Sequence, residues 1–74
     1  MMMMMEILMT KEPYSMVQAA KTVLTHDGYQ VIVEFRENMD FSGKLMDALD
    51  IIRYVRESFG HDTTIMIIAG GPEN

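Results

Sequence analysis

Two stretches of the chain have the residue pattern of β-strands. Residues 31–35, VIVEF, are rich in β-branched and aromatic side chains, and their alternation extends back through Gln30 to Tyr29. This pattern predicts a strand whose apolar face consists of Tyr29, Val31, Val33 and Phe35, the other face being half polar. Residues 65–69, IMIIA, are apolar throughout and stop at Gly70. They are predicted to form a central strand that is covered on both faces.

A first helix is predicted before Gly28. Ser15 and Gln18 have the spacing of a capping box at its start, and Gly28 stands after its end, where a left-handed residue is favoured. Apolar residues recur at helical spacing between these positions. The side predicted to face the sheet consists of Met16, Ala19, Ala20, Val23 and Leu24.

A second helix is predicted after residue 42, with Asp40 or Ser42 as its capping residue. Its predicted apolar side consists of Leu45, Ala48, Leu49, Ile52, Val55 and Phe59. The opposite side is charged, which is typical of a solvated helix face. Tyr54 is an aromatic residue among these charges, so we predict that it contacts a protein partner.

The first ten residues, MMMMMEILMT, do not resemble a signal peptide. Glu6 interrupts the apolar stretch, no Ala-x-Ala site follows, and the run is far shorter than the ~20 residues that span a bilayer. We predict a strand at residues 6–10. In the alternation that begins just before it, Met5, Ile7 and Met9 face one way and Glu6 and Leu8 the other. The earliest methionines are expected to be either frayed or laid on a dimer interface.

The resulting order is strand, helix, strand, helix, strand, within one small domain of residues 1–74. Short turns between helix and strand predict parallel pairing through right-handed crossovers. The expected fold class is therefore α/β: a two-layer β-α-β-α-β sandwich with a mainly parallel three-stranded sheet and both helices on one face.

The sheet face without helices is expected to be apolar. The residues predicted to lie there are Leu8, Ile32, Met66 and Ile68. A patch of this size is unusual on a chain of 74 residues, and the absence of cysteine excludes disulfides as extra stabilisation. We therefore predict a homodimer in which two sheets pack face to face.

Composition excludes several classes of partner. The net charge is −5 and the six basic residues are scattered, which argues against binding to nucleic acid or anionic lipid. No apolar stretch is long enough to predict a membrane span. A chain without cysteine is compatible with a reducing compartment, so a cytoplasmic location is expected.

Candidate chemistry is sparse. His26-Asp27 and His61-Asp62 each end a predicted helix, so both pairs are expected at the same pole of the sheet, as half of a metal site or as ordinary turn residues. Gly43-Lys44 lacks the earlier glycine and the following hydroxyl residue of a phosphate loop. No catalytic, cofactor-binding or metal-binding residue is predicted, and no cofactor.

One family resemblance covers most of the chain. The runs EPYSMVQAAKTVL, VIVEF, ALDIIRYV, IMIIA and PEN resemble the core of SepF, the cell-division adaptor that tethers FtsZ to the membrane. The matching residues are Glu12, Pro13, Gly28, Val31, Val33, Ile51, Ile52, Tyr54 and Pro72. The resemblance implies a homodimer of two-layer sandwiches joined through their sheets.

A second resemblance is local. VIVEFRENMDFSGKLMDAL is similar to the strand, loop and helix of STAS domains, the anti-sigma-factor antagonists, whose loop carries Asp-Ser-x-Gly. Asp40 and Gly43 match that loop, Ser42 takes its second serine position, and Phe41 stands at the phosphorylated one.

Together the patterns predict a small, non-enzymatic, homodimeric adaptor domain that acts through protein–protein contacts with itself and with an unidentified protein. Three alternatives remain open. The first is a STAS-like regulatory antagonist. The second is an inhibitor of a host protein carried by a phage or mobile element, and the third is a small-ligand- or metal-binding domain.

Overall fold

The computed structural model describes residues 4–36 and 45–70 of the chain. Its elements are β1 (Met4–Thr10), α1 (Tyr14–His26), β2 (Gln30–Phe35), α2 (Ala48–Ser58) and β3 (Thr63–Ala69). This order confirms the predicted succession of strands and helices, including the strand in the methionine-rich beginning of the chain. Asp40, Ser42, Gly43 and Lys44, which carried the predicted cap and the phosphate-loop comparison, lie outside the described residues.

The three strands form one parallel sheet in the order β1-β3-β2. β3 is the central strand, and every one of its residues except Met66 is buried. This confirms the prediction of a central strand, because β3 is paired on both edges. The prediction that both of its faces are covered holds for one face only among the described residues, since the helices cover the side of Ile65, Ile67 and Ala69.

Both helices pack on the same face of the sheet. Val17 and Leu24 of α1 share one core cluster with Ile51 and Val55 of α2 and with the residues of β3 that point to that side. The chain passes from β1 across to the far edge and then returns to the centre, with a helix on this one face each time. The two crossovers therefore have opposite hands, whereas two right-handed crossovers were expected.

α1 begins at Tyr14 without a side-chain cap, so the predicted capping box of Ser15 and Gln18 is wrong. Instead the Pro13 carbonyl accepts hydrogen bonds from the backbone N–H groups of the first turn, and the Gln18 amide donates to the Tyr14 hydroxyl. At the other end Gly28 has φ +102°, as predicted. The Gly28 and Tyr29 N–H groups donate to the carbonyls of Thr25 and Leu24, the hydrogen bonds of a Schellman motif.

The buried side of α1 differs from the predicted one. Val17, Ala20 and Leu24 are buried, whereas Met16 is 45% exposed and Ala19 is exposed. Ala20 and Leu24 belong both to the predicted apolar stripe, which contains Met16, and to a second one, which contains the β-branched Val17. The structure buries the second stripe.

The capping residue of α2 is Asp47, five residues later than the last predicted one, Ser42. The Asp47 carboxylate accepts a hydrogen bond from the Asp50 N–H at 2.8 Å and so caps the helix. Ala48, Ile51 and Val55 are buried, but Leu49 is 68% exposed, so its place in the predicted apolar stripe is wrong. The predicted apolar stripe was wider than the part of a helix surface that can contact a single sheet.

Candidate functional site: the open sheet face

The sheet face opposite the helices presents side chains in three rows, and each row has one side chain from every strand. Ile65, Ile67 and Ala69 of β3 belong to the helix-covered core, so the alternating residues of β3 and their cross-strand partners point the other way. The rows, which together form what we call the open face, are Met5–Thr64–Gln30, Ile7–Met66–Ile32 and Met9–Ile68–Glu34.

The middle row is the most apolar and among the most exposed parts of this face. Ile7 is 53% exposed and Ile32 is 44% exposed, on either side of the half-buried Met66. Single exposed apolar residues are normal on protein surfaces, but here they are adjacent and continuous across all three strands. The row therefore forms an apolar band that no described residue covers.

Polar groups at the two ends of the open face bind each other. Between the strands of the first row, the Thr64 hydroxyl donates to the Gln30 side-chain oxygen at 3.3 Å. At the other end, Arg36 donates from Nε and Nη2 to the two carboxylate oxygens of Glu34, at 2.8 and 3.1 Å. These pairs leave few free polar groups to orient a small ligand, so the face is suited to an apolar protein surface.

The Glu34–Arg36 pair also shifts the pKa values of both groups at that end of the open face. The hydrogen bond from Arg36, with its positive charge, lowers the pKa of the Glu34 carboxyl below its ordinary value. The same contact raises the pKa of Arg36. Both groups are charged at neutral pH, and the pair forms a polar boundary beside Ile68.

Three of the four residues predicted for this face lie on it: Ile32, Met66 and Ile68. Leu8 does not. It is 6% exposed, pairs with Ile67 and belongs to the helix-covered core. The predicted alternation within β1 is confirmed, but its two sides are exchanged, so Met5, Ile7 and Met9 take the place of Leu8 on the open face.

The sequence feature that identifies the core-facing side of β1 lies partly in the turn that follows the strand. Thr10 is completely buried, and its hydroxyl accepts a hydrogen bond from the Glu12 N–H at 3.0 Å as the chain turns toward α1. A threonine followed closely by Glu-Pro indicates such a turn. Leu8 shares the side of Thr10 and is therefore drawn into the core with it.

Tyr54, the predicted partner contact, lies in the helical layer rather than on the open face. It is 38% exposed and packs edge-on against Phe59, with ring centroids 5.4 Å apart. Its exposure leaves it accessible, and its contact with a partner remains a prediction.

The two His-Asp turns meet at the amino end of the sheet, as expected, but only one residue of each takes part. His61 Nε2 donates to the backbone carbonyl of Asp27 at 2.9 Å, and the His61 ring lies 4.5 Å from that of Tyr29. Tyr29 in turn donates from its hydroxyl to the Phe59 carbonyl at 2.7 Å. The cluster ties the end of α1 to the turn that follows α2.

Arg56 completes this cluster by donating to the Asp27 carboxylate at 2.6 Å. That hydrogen bond lowers the pKa of Asp27, with smaller contributions from the charges around it. Among the described residues no group of three or more His, Cys, Asp or Glu side chains could hold a metal ion. The arrangement joins elements of the fold and does not bring the four His and Asp side chains together as ligands.

A shallow groove of about 280 Å³ lies near the carboxyl end of β1, where parallel sheets often bind ligands. Its walls are Thr10–Glu12 and the segment before α2, residues 45–47. Asp47 is engaged in capping α2, and the Thr10 hydroxyl accepts the Glu12 amide. These polar groups already serve the backbone, so the groove does not form a recognisable ligand site.

Within the described ranges, neither helix has the length and apolar character needed to cross a bilayer. No protein-family model, curated protein or solved structure matches the chain.

Proposed function

We propose that this chain is a small, non-enzymatic protein-interaction domain that forms a homodimer through its open face. The observation that carries the proposal is the continuous apolar row formed by Ile7, Met66 and Ile32. Covering such a row removes apolar area from water, which favours association by roughly 25 cal/mol per Å². A second copy presents the same row and is therefore a complementary partner.

The size of the open face limits the strength of this contact. Three strands about 4.8 Å apart, with same-face positions about 6.8 Å apart, give a surface of about 300 Å². Stable interfaces bury about 800 Å² on each partner. We therefore expect a reversible dimer with a dissociation constant in the micromolar range or weaker when the open face is the only contact.

An adaptor role would add a second protein as partner, and Tyr54 in the helical layer is the residue that we propose for that contact. A domain that pairs through its sheet keeps its helical layer accessible, which supports such a division. The SepF-like and STAS-like resemblances, and the cytoplasmic location, remain predictions.

The test is a single charge in the middle row. Ile32→Asp places a carboxylate in the apolar row without touching the helix-covered core. Leu49→Asp is the matched control, because Leu49 is also strongly exposed but lies at the start of α2, where an acidic residue is favourable. Sedimentation velocity from micromolar to millimolar concentration should show concentration-dependent association for the parent and for Leu49→Asp, and clearly weaker association for Ile32→Asp.

Circular dichroism and a urea titration would show that both variants remain folded. The proposal is wrong if the parent stays monomeric at millimolar concentration, or if folded Ile32→Asp associates as strongly as the parent.

A further inference from the structure

Among the residues that the structure describes, the outer edge of β1 carries backbone groups without a hydrogen-bond partner. On the inner edge the Thr10 carbonyl accepts a hydrogen bond from the Gly70 N–H at 2.8 Å. Successive residues of a strand direct their backbone groups to opposite edges, so Met5, Ile7 and Met9 direct theirs outward. Within the described residues, the Met9 carbonyl accepts from the Met46 N–H, and no backbone hydrogen bond reaches the outward groups of Met5 and Ile7.

β1 has few of the features that usually protect an edge strand, since the segment before α2 covers only the end of the edge, at Met9. It contains no proline or basic residue, and its pairing with β3 is continuous from Met4 to Thr10 without a bulge. Its single charge, Glu6, points toward the helical layer. The other edge strand, β2, differs, because the charged pair of Glu34 and Arg36 lies at its end.

We propose that the outer edge of β1 pairs with β1 of a second copy, in antiparallel orientation, with Ile7 opposite Ile7 of that copy. The two isoleucines then exchange two backbone hydrogen bonds across a two-fold axis. On either side Met5 lies opposite Met9 of the second copy. The Met9 carbonyl has a second lone pair available for this bond beside the one that accepts from Met46.

Charge and the length of the pairing together select this register. The residues that direct backbone groups outward must oppose each other, which a two-fold axis at any residue of β1 allows. An axis at Leu8 or Met9 pairs at most five residues of each described strand. An axis at Glu6 places two carboxylates directly opposite, which is unfavourable. An axis at Met5 moves Ile7 beyond the described strand of the second copy. The axis at Ile7 instead places Glu6 opposite Leu8 and uses the whole described length of β1.

This contact joins two three-stranded sheets into one sheet of six strands. It also merges the two open faces into a single surface of about 600 Å², with the two apolar middle rows joined at its centre, by the strand and residue spacings used above. The edge contact goes beyond the face contact proposed earlier, and either one can form without the other.

The absence of cysteine from the chain gives a direct test. A single introduced cysteine can form a disulfide only with the same cysteine of a second copy. Directly opposed Cα atoms that share hydrogen bonds lie about 5.5 Å apart, within the disulfide range of about 4.4–6.8 Å. Sheets packed face to face lie about 10 Å apart, which is outside that range. Crosslinking of Ile7→Cys therefore reports the edge contact and not the face contact.

Each variant would be oxidised in the full chain and analysed by non-reducing electrophoresis. We expect Ile7→Cys to form a disulfide dimer, and Met5→Cys and Met9→Cys to form one only when mixed with each other. Ile32→Cys is the matched control, because it lies in the same row at the opposite edge of the sheet and should crosslink at least tenfold more slowly.

Two outcomes would overturn the inference. The first is that Ile7→Cys crosslinks no faster than Ile32→Cys, with both variants shown to be folded by circular dichroism under reducing conditions. The second is that Met5→Cys alone crosslinks as fast as Ile7→Cys, which would place the axis elsewhere. Failure of the face contact would appear instead in the sedimentation of Ile32→Asp, so the two results are distinguishable.

Discussion

The two faces of the sheet differ sharply, although they alternate along the same strands. Leu8 is 6% exposed and Ile67 is fully buried beneath the helices, while Ile7, adjacent to Leu8 in sequence, is 53% exposed. The side chains are similar in size and equally apolar. What separates them is the layer of helices, which, among the residues that the structure describes, covers one face and leaves the other open.

Because of this difference, neighbouring residues of one strand contribute to different processes, folding on one face and association on the other. Burial on the helix-covered face already stabilises the monomer, at about 1.5–3 kcal/mol for each large apolar side chain. The exposed part of the open face contributes to stability only when something covers it. Substitutions on the first face should therefore change folding, and substitutions on the second should change association.

The largest effect is expected for Leu8→Asp. A carboxylate at this position would be buried among apolar side chains without a partner, which should cost more than about 4 kcal/mol. A domain of this size has a total stability of roughly 4–11 kcal/mol at 0.05–0.15 kcal/mol per residue. Far-ultraviolet circular dichroism should show the variant largely unfolded at 25 °C.

Ile7→Asp is the internal control for that experiment. Its side chain lies on the open face, so its urea midpoint, measured at a concentration where the parent is monomeric, should correspond to a change within about 0.5 kcal/mol. Equal unfolding of Ile7→Asp and Leu8→Asp would show that the two faces of β1 do not differ as described.

A smaller effect is expected in β3, where both faces carry buried isoleucines. Ile67→Ala removes atoms from the middle of the core and should cost about 4 kcal/mol, near the upper end for such truncations. Ile68 is also buried, but its row neighbours are the flexible Met9 and the solvent-facing Glu34. Ile68→Ala should therefore cost only about 2 kcal/mol, because its surroundings can relax into the space.

Urea titrations of the two alanine variants measure this difference directly. Equal losses would indicate that the open face is as tightly packed as the core. A concentration-dependent loss in Ile68→Ala alone would indicate that self-association covers this residue.

Much of the fold follows from local patterns. Continuous apolar character identifies β3 as the central strand, and the turn at Gly28 follows from the left-handed backbone that a side chain would strain there. Parallel pairing follows from the alternation of helices and strands. These features depend on residues close together in sequence, so periodicity and turn chemistry are sufficient to predict them.

The orientation of β1 depends on contacts that local pattern does not contain. Met5, Ile7 and Met9 are at least as apolar as the opposite side of the strand, so counting apolar residues favours the wrong face for the core. The register with β3 and the buried turn at Thr10 decide the matter. The buried stripes of both helices were wrong in part for the same reason, because adjacent apolar stripes compete and tertiary packing selects one.

The smallest expected effect on stability is the difference between removing two ion pairs, one at the end of the open face and one in the helical layer. Arg36 bonds Glu34 two residues away at the end of β2, whereas Arg56 of α2 bonds Asp27 at the end of α1. Arg56→Gln should therefore lower the urea midpoint slightly, because it removes a link between two elements. Arg36→Gln should lower it less, because Arg36 and Glu34 lie two residues apart in the chain and their pair joins no separate elements.

The effect of Arg36→Gln should appear instead in the titration of Glu34. Because its folded pKa is lowered, Glu34 contributes stability at pH above its unfolded pKa, and this contribution is lost as the pH falls through the folded pKa. Without Arg36, the carboxyl-carbon NMR titration of Glu34 should move up toward the ordinary glutamate range. If it does not move, the Arg36 hydrogen bond is not what lowers the pKa of Glu34.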